Sequence, residues 1–135
     1  MCGIFAAMTR RGLMPERRDA ALKSLRHRGP DGSGSWTSRD GRWTLGHTRL
    51  SIIGLNNGEQ PMTSPDGTVH LVVNGEFYGY REIRDRLRAS GYRFSTESDS
   101  EIALHLYDER GMQAASELRG EFALVIADER QQVMI

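Results

Sequence analysis

The chain has one cysteine, and it stands at position 2 of 135. A single thiol excludes an internal disulfide and a cysteine-based zinc site, which fits a reducing compartment and leaves the fold to rest on its hydrophobic core. At this length one core is affordable and two comfortable domains are not, so residues 1–135 read as one domain. The position of the thiol adds a chemical constraint. Removal of Met1 would give Cys2 a free α-amine beside its thiol, a base and a nucleophile in one residue. A lone cysteine also reads as a small core hydrophobe. Gly3 leaves room beside Cys2, and Ile4-Phe5-Ala6-Ala7-Met8 reads as a buried strand that would hold it rigidly. Palmitoylation lacks support, because no amphipathic helix or polybasic segment follows closely.

Basic and acidic residues number 18 each, for a formal charge of zero, so nothing suggests a nucleic-acid tract or an acidic tail. Lys23 is the only lysine. Arginine's planar fork suits carboxylates, which singles out arginines inside polar motifs and leaves the others as solvated surface. No apolar run reaches membrane-span length. The expectation is a soluble cytoplasmic protein without membrane or nucleic-acid partners.

Periodicity gives a strand over residues 2–8 and a helix over Pro15–Leu25, with Ala21, Leu22 and Leu25 on one face. After the turn Gly29-Pro30-Asp31-Gly32, strands are expected over 34–37 and 43–51, separated by a turn at 39–41. A polar loop over 54–67 leads to a strand over 68–73, which gives way to a loop at Asn74-Gly75-Glu76. An amphipathic helix over 80–90 buries Tyr80, Ile83 and Leu87 and stops at Gly91. Ser98 or Asp99 is expected to cap a helix with Ile102, Ala103, Leu106 and Tyr107 on its apolar face, ended by Gly111. A short helix over 113–118, a strand over 122–127, a hairpin turn over 128–131 and the start of another strand complete the chain. Strands at the beginning, middle and end with helices grouped between them specify an α+β layered sandwich. Neither a Gly-x-Gly-x-x-Gly fingerprint nor a Gly-Lys-Ser/Thr phosphate loop is present.

Asn74-Gly75 has two readings. An amide side chain beside an unshielded glycine N–H can present two donors to one developing oxyanion, as acyl transfer requires, and the same pair is common in turns. Arg49, at the end of an apolar strand, can pair with a substrate carboxylate or with a surface acid. Asp99 can bind a substrate ammonium or cap its helix. A cation, an anion and a two-donor oxyanion site together describe an amino acid with a side-chain amide, glutamine or asparagine.

Seven segments occur in an order that resembles the glutaminase domain of class II glutamine amidotransferases, of the asparagine synthetase type. They are Met1-Cys2-Gly3-Ile4-Phe5, Arg26-His27-Arg28-Gly29-Pro30-Asp31-Gly32, Arg49-Leu50-Ser51-Ile52, Gln60-Pro61-Met62, Val73-Asn74-Gly75-Glu76-Phe77-Tyr78, Ser98-Asp99-Ser100-Glu101 and Leu118-Arg119-Gly120-Glu121-Phe122-Ala123. The resemblance implies an N-terminal-nucleophile hydrolase fold, a four-layer αββα sandwich. It makes Cys2 the nucleophile on the side-chain amide of L-glutamine and its α-amine the base. Asn74 and Gly75 become the oxyanion hole, and Arg49 the ligand of the α-carboxylate. Leu50, Ser51, Ile52 and Ile53 become pocket lining, and Glu76 and Asp99 hold the α-ammonium. Ammonia would leave first, and water would then release glutamate from a thioester. The Arg26–Gly32 segment would buttress Cys2.

No cofactor is implied for this hydrolysis, and ATP and magnesium would belong to a synthetase domain or subunit that accepts the ammonia. His27, His47, His70 and His105 share no metal-ligand spacing and read as structural or surface residues, so no metal site is expected. Two departures stand out. Gly79 replaces the asparagine common after the family's Asn-Gly-Glu-Ile-Tyr, and the expected sheet is truncated at its C-terminal end. That truncation makes a catalytically silent glutamine- or partner-binding module the alternative reading. A phosphoribosyl- or sugar-phosphate-linked amidotransferase fits less well with His-Arg-Gly-Pro-Asp. A homodimer is compatible with the sequence.

Overall fold

The computed structural model describes residues 2–51 and 57–135. Its strands are β1 (Gly3–Met8), β2 (Gly32–Thr37), β3 (Trp43–Arg49), β4 (Met62–Thr63), β5 (Val69–Phe77), β6 (Gly120–Asp128) and β7 (Val133–Met134). Three α-helices, α1 (Pro15–Leu25), α2 (Tyr80–Ala89) and α3 (Glu101–Arg110), are joined by a 3-10 turn at Gly111–Ser116, where a helix over 113–118 was expected. The strands form two antiparallel sheets, ordered β1-β3-β2 and β4-β5-β6-β7.

Strand alternation sorts the residues into layers. On β3, Trp43 and Leu45 point toward the second sheet, where they pack with Val72 and Ala127. Trp36 stacks on His70 across the same gap at 3.8 Å between ring centroids. The opposite face of β5 and β6 contributes Leu71, Val73, Phe77 and Ile126 to a larger core with Leu87, Ile102, Leu106 and Tyr107 of the helices. Every residue of α3 from Glu101 to Tyr107 is buried, as befits a helix covered on all sides. On the outer face of the first sheet, α1 is tied down by the Thr48 hydroxyl, which donates to the Leu25 carbonyl at 3.1 Å. The result is the helix–sheet–sheet–helix sandwich expected from the sequence. Among the described residues, no helix is long and apolar enough to cross a membrane.

Three further local expectations change. The two-residue β4 lies inside the expected polar loop, too short for any pattern to announce. Asn74-Gly75-Glu76 does not mark a strand end, since β5 continues through it to Phe77, in unbroken register with β6 from Val69↔Asp128 to Phe77↔Gly120. Glycine permits this close pairing. Gly75 has φ +146°, and a β-carbon there would collide with the Glu121 carbonyl and Phe122, while one at Gly120 would meet the Glu76 carbonyl. Finally, neither Ser98 nor Asp99 caps α3 through its side chain. The cap position falls at Ser100, and the first helical N–H groups, those of Glu101, Ile102 and Ala103, are received by the Ser98 carbonyl at 3.4 Å and the Asp99 and Ser100 carbonyls at 3.1 Å.

Candidate active site

The first sheet brings Cys2 and Arg49 together. β1 and β3 pair with Gly3 opposite Thr48 and Ile4 opposite His47, which places the residue before Gly3 alongside Arg49. The half-buried Cys2 thiol lies against Leu50, the residue that follows β3. The Leu50 N–H donates to Cys2 Sγ at 3.3 Å, and Sγ lies 3.7 Å from the Leu50 carbonyl.

The Arg26–Gly32 segment holds both partners. Arg28 Nε donates to the Cys2 carbonyl at 2.9 Å, and the Asp31 N–H donates to the Arg49 carbonyl at 2.9 Å. Gly29 lies so close to Thr48 that a β-carbon would strike its main chain. Here the expected buttress has a physical form, one side chain fixing the start of β1 and the neighbouring backbone fixing the end of β3.

From the second sheet comes β5. The Val73 N–H donates to Gln60 Oε1 at 2.6 Å and the Phe77 N–H to Asp99 Oδ2 at 2.8 Å, both on the edge away from β6. Antiparallel alternation directs the intervening Gly75 N–H to that same edge. Asn74, opposite Ala123, is one residue out of phase, and its buried Oδ1 has no hydrogen-bond partner among the described residues.

These elements enclose a pocket of about 290 Å³, at the lower end of the range for small-ligand sites. Cys2, Arg49, Leu50, Asn74, Gly75, Glu76 and Asp99 all line it. Ser51 does not, and its N–H instead donates to Asp31 Oδ2 at 2.8 Å. Met1, Ile52 and Ile53 lie outside the described residues.

Sequence reasoning did not place His47, Gln60, Tyr78 or Glu121 in the lining. Gln60-Pro61 was visible only as a motif without a role. Glu121 pairs in register with Glu76, so two carboxylates stand on adjacent strands at the pocket. Like charges at paired positions cost stability, which makes a cationic ligand group welcome between them.

His47 is fully buried, and burial, reinforced by the Arg49 charge, pushes its imidazole down to about 4. The ring is therefore neutral at neutral pH. The unfolded chain, with a histidine near 6.5, takes up the proton first as pH falls, so this residue's stabilisation is lost between about 6.5 and 4. Unfolding midpoints in urea should fall over that window in the wild type and fall less steeply in His47→Gln. Parallel slopes would show that another group carries the titration.

Two buried side chains anchor the segment before Asp99. Glu101 accepts the Ser95 and Thr96 N–H groups at 2.7 Å each and the Thr96 hydroxyl at 2.6 Å. Burial raises this carboxyl, but His105 at 3.4 Å and these donors outweigh it and hold it at about 2. Arg84, one of the arginines outside polar motifs that were left as solvated surface, is instead 7% exposed, so that general expectation fails here. The loop carbonyls it satisfies draw it inward, and Phe94 lies under its guanidinium at 4.7 Å. Among the described residues, no group of three or more His, Cys, Asp and Glu is placed to hold a metal ion.

A profile of the glutamine amidotransferase domain matches residues 1–135. The chain belongs to the glutamine amidotransferase domain family. This domain is 42% identical, over 96% of its length, to a protein of Dictyostelium discoideum named probable glutamine-hydrolyzing asparagine synthetase. It is 40% identical over its full length to amidase chry2 of Gibberella zeae. It spans 24% and 22% of those relatives, about a quarter of their length. The glutamine phosphoribosylpyrophosphate amidotransferase of Bacillus subtilis, solved with ADP and GMP, superposes with a TM-score of 0.76 over 96% of this domain and 35% of that chain. At 21% identity that likeness concerns the fold alone, and it agrees with the αββα sandwich expected from the sequence.

Proposed function

We propose that this domain hydrolyses L-glutamine to L-glutamate and ammonia through a thioester on Cys2, once Met1 is removed. The observation that carries this reading is the convergence of Cys2, Asn74-Gly75, Arg49, Glu76 and Asp99 on one pocket. Arg49 pairs with the α-carboxylate, while Glu76 and Asp99 receive the α-ammonium. The Cys2 α-amine takes the thiol proton as Sγ attacks the side-chain carbonyl carbon. The resulting oxyanion is held by the Asn74 amide and the Gly75 N–H. Collapse breaks the C–N bond and expels ammonia, the proton returning to the leaving nitrogen. Water then adds to the thioester carbonyl, and breakage of the C–S bond frees glutamate and the thiol.

The asparagine synthetase relatives support an acceptor reaction of that kind. The ammonia is destined for an ATP- and magnesium-dependent amidation carried by a synthetase domain or subunit outside residues 1–135. A homodimer is compatible with this role, and none of the steps assigned to residues 2–135 requires a cofactor.

The test incubates the chain with L-glutamine and follows glutamate by enzymatic assay, with intact mass read after exposure to an electrophilic glutamine analogue. Catalytic glutamate release and a single adduct on Cys2 are expected. Saturable glutamine binding in a calorimeter without glutamate release would select the silent binding module instead.

A further inference from the structure

The pocket's ammonium-binding carboxylate sits at the end of a segment without regular structure. Residues 92–98 contain no helix or strand. Backbone groups in such a segment must find partners elsewhere, and here two side chains supply many of them. Glu101 takes the N–H groups of Ser95 and Thr96. Arg84 donates from Nη1 to the Thr96 carbonyl at 3.1 Å and from Nη2 to the Ser98 carbonyl at 2.5 Å. An anion thus gathers the donors and a cation the acceptors of the same few residues. Asp99 follows directly, buried, with Oδ2 on the Phe77 N–H.

We infer that Arg84, which lies outside the pocket lining, is a positioning residue for recognition of the substrate's α-ammonium. It acts by fixing the Thr96 and Ser98 carbonyls so that the Asp99 carboxylate is held on β5 and faces the pocket. This rests on the glutaminase reading of that pocket.

Lysine cannot reproduce the action, because one ammonium lacks the planar fork that reaches two carbonyls at fixed spacing. The guanidinium is itself set in place from α2, with Phe94 at 4.7 Å and Tyr80 at 5.8 Å from its carbon. Its loss leaves the reacting atoms of Cys2 and Asn74 untouched, so the defect should fall on binding rather than on chemistry.

The experiment compares Arg84→Gln and Arg84→Lys with wild type on two substrates, L-glutamine and 4-carbamoylbutanoate, which is glutamine without its α-ammonium. In Arg84→Gln, KM for L-glutamine should rise by roughly 10-fold or more with kcat within about threefold, and preference over the des-amino substrate should shrink by a similar factor. Arg84→Lys should fall between. Equal weakening toward both substrates, or a fall in kcat at constant KM, would overturn the inference and leave Arg84 a merely structural residue.

Amide hydrogen exchange provides a readout without turnover. The Phe77 amide should exchange roughly 10-fold faster or more in Arg84→Gln, while the Val73 amide, held by Gln60, keeps its protection. Unchanged Phe77 protection would refute the positioning even if kinetics changed. If wild type neither binds nor hydrolyses glutamine, the glutaminase reading fails. Ammonium recognition falls with it, and exchange at Phe77 still decides whether Arg84 orders Asp99.

Discussion

Replacement of Cys2 by alanine should reduce glutamate release by on the order of 10⁴-fold or more, because no other group in the pocket can form the thioester. That factor corresponds to about 5.5 kcal/mol of transition-state stabilisation. The fold should barely register the change. Cys2 precedes β1, its sulfur meets only Leu50 among the hydrogen-bond partners described, and the contact that anchors this end, Arg28 Nε on the Cys2 carbonyl, involves the main chain. A stability change within about 1 kcal/mol is therefore expected by urea denaturation. Loss of activity together with unfolding would point to a structural thiol. Blocking removal of Met1 should have the same kinetic effect by a different route. It converts the α-amine to an amide, which has no basic lone pair at neutral pH, while leaving the thiol in place. Steady-state glutamate release paired with intact mass separates the cases. Full activity in a chain whose mass includes Met1 would remove the α-amine from the mechanism.

The sequence exposed those parts of the site that depend on local pattern. The strand after Cys2 and the helix periodicity of Tyr80, Ile83 and Leu87 are properties of neighbouring residues, and both appear in the fold, although the strand expected to be buried is only half-buried, with Met8 at its end 61% exposed. What stayed hidden depends on partners far along the chain. Asn74-Gly75 resembles a turn until Ala123 and Phe122 are brought beside it, and only then can Gly75 be recognised as a strand glycine pressed against another backbone. Asp99 resembles a helix cap for the same reason, since its alternative partner, the Phe77 N–H, is 22 residues away. Arg84 lies on a helix rich in arginine, and nothing in its neighbours distinguishes it from Arg86 or Arg88, which remain more open. Gln60 illustrates the limit most clearly. Its motif with Pro61 was visible, yet its work, holding the Val73 N–H two residues before Gly75, exists only once the second sheet has assembled.

Asn74→Ala should lower kcat by roughly 10²- to 10³-fold, about 2.7–4 kcal/mol, with KM for glutamine little changed. The reason is that the amide meets its strongest partner only when the carbonyl oxygen becomes an oxyanion, so the ground state loses little. Activity should not vanish, because the Gly75 N–H belongs to the backbone and survives the substitution. Asn74→Asp should be more damaging than alanine, since a carboxylate would repel the oxyanion. Stability gives the opposite signature from an ordinary core mutation. Asn74 Oδ1 is buried without a partner among the described residues, so removing the amide relieves an unsatisfied polar atom rather than breaking a bond. Its urea midpoint should therefore be equal to or above that of the wild type while catalysis falls. A variant that loses stability and activity together would identify Asn74 as a structural amide, and the two-donor oxyanion site would then have to be rebuilt around Gly75 and a different donor.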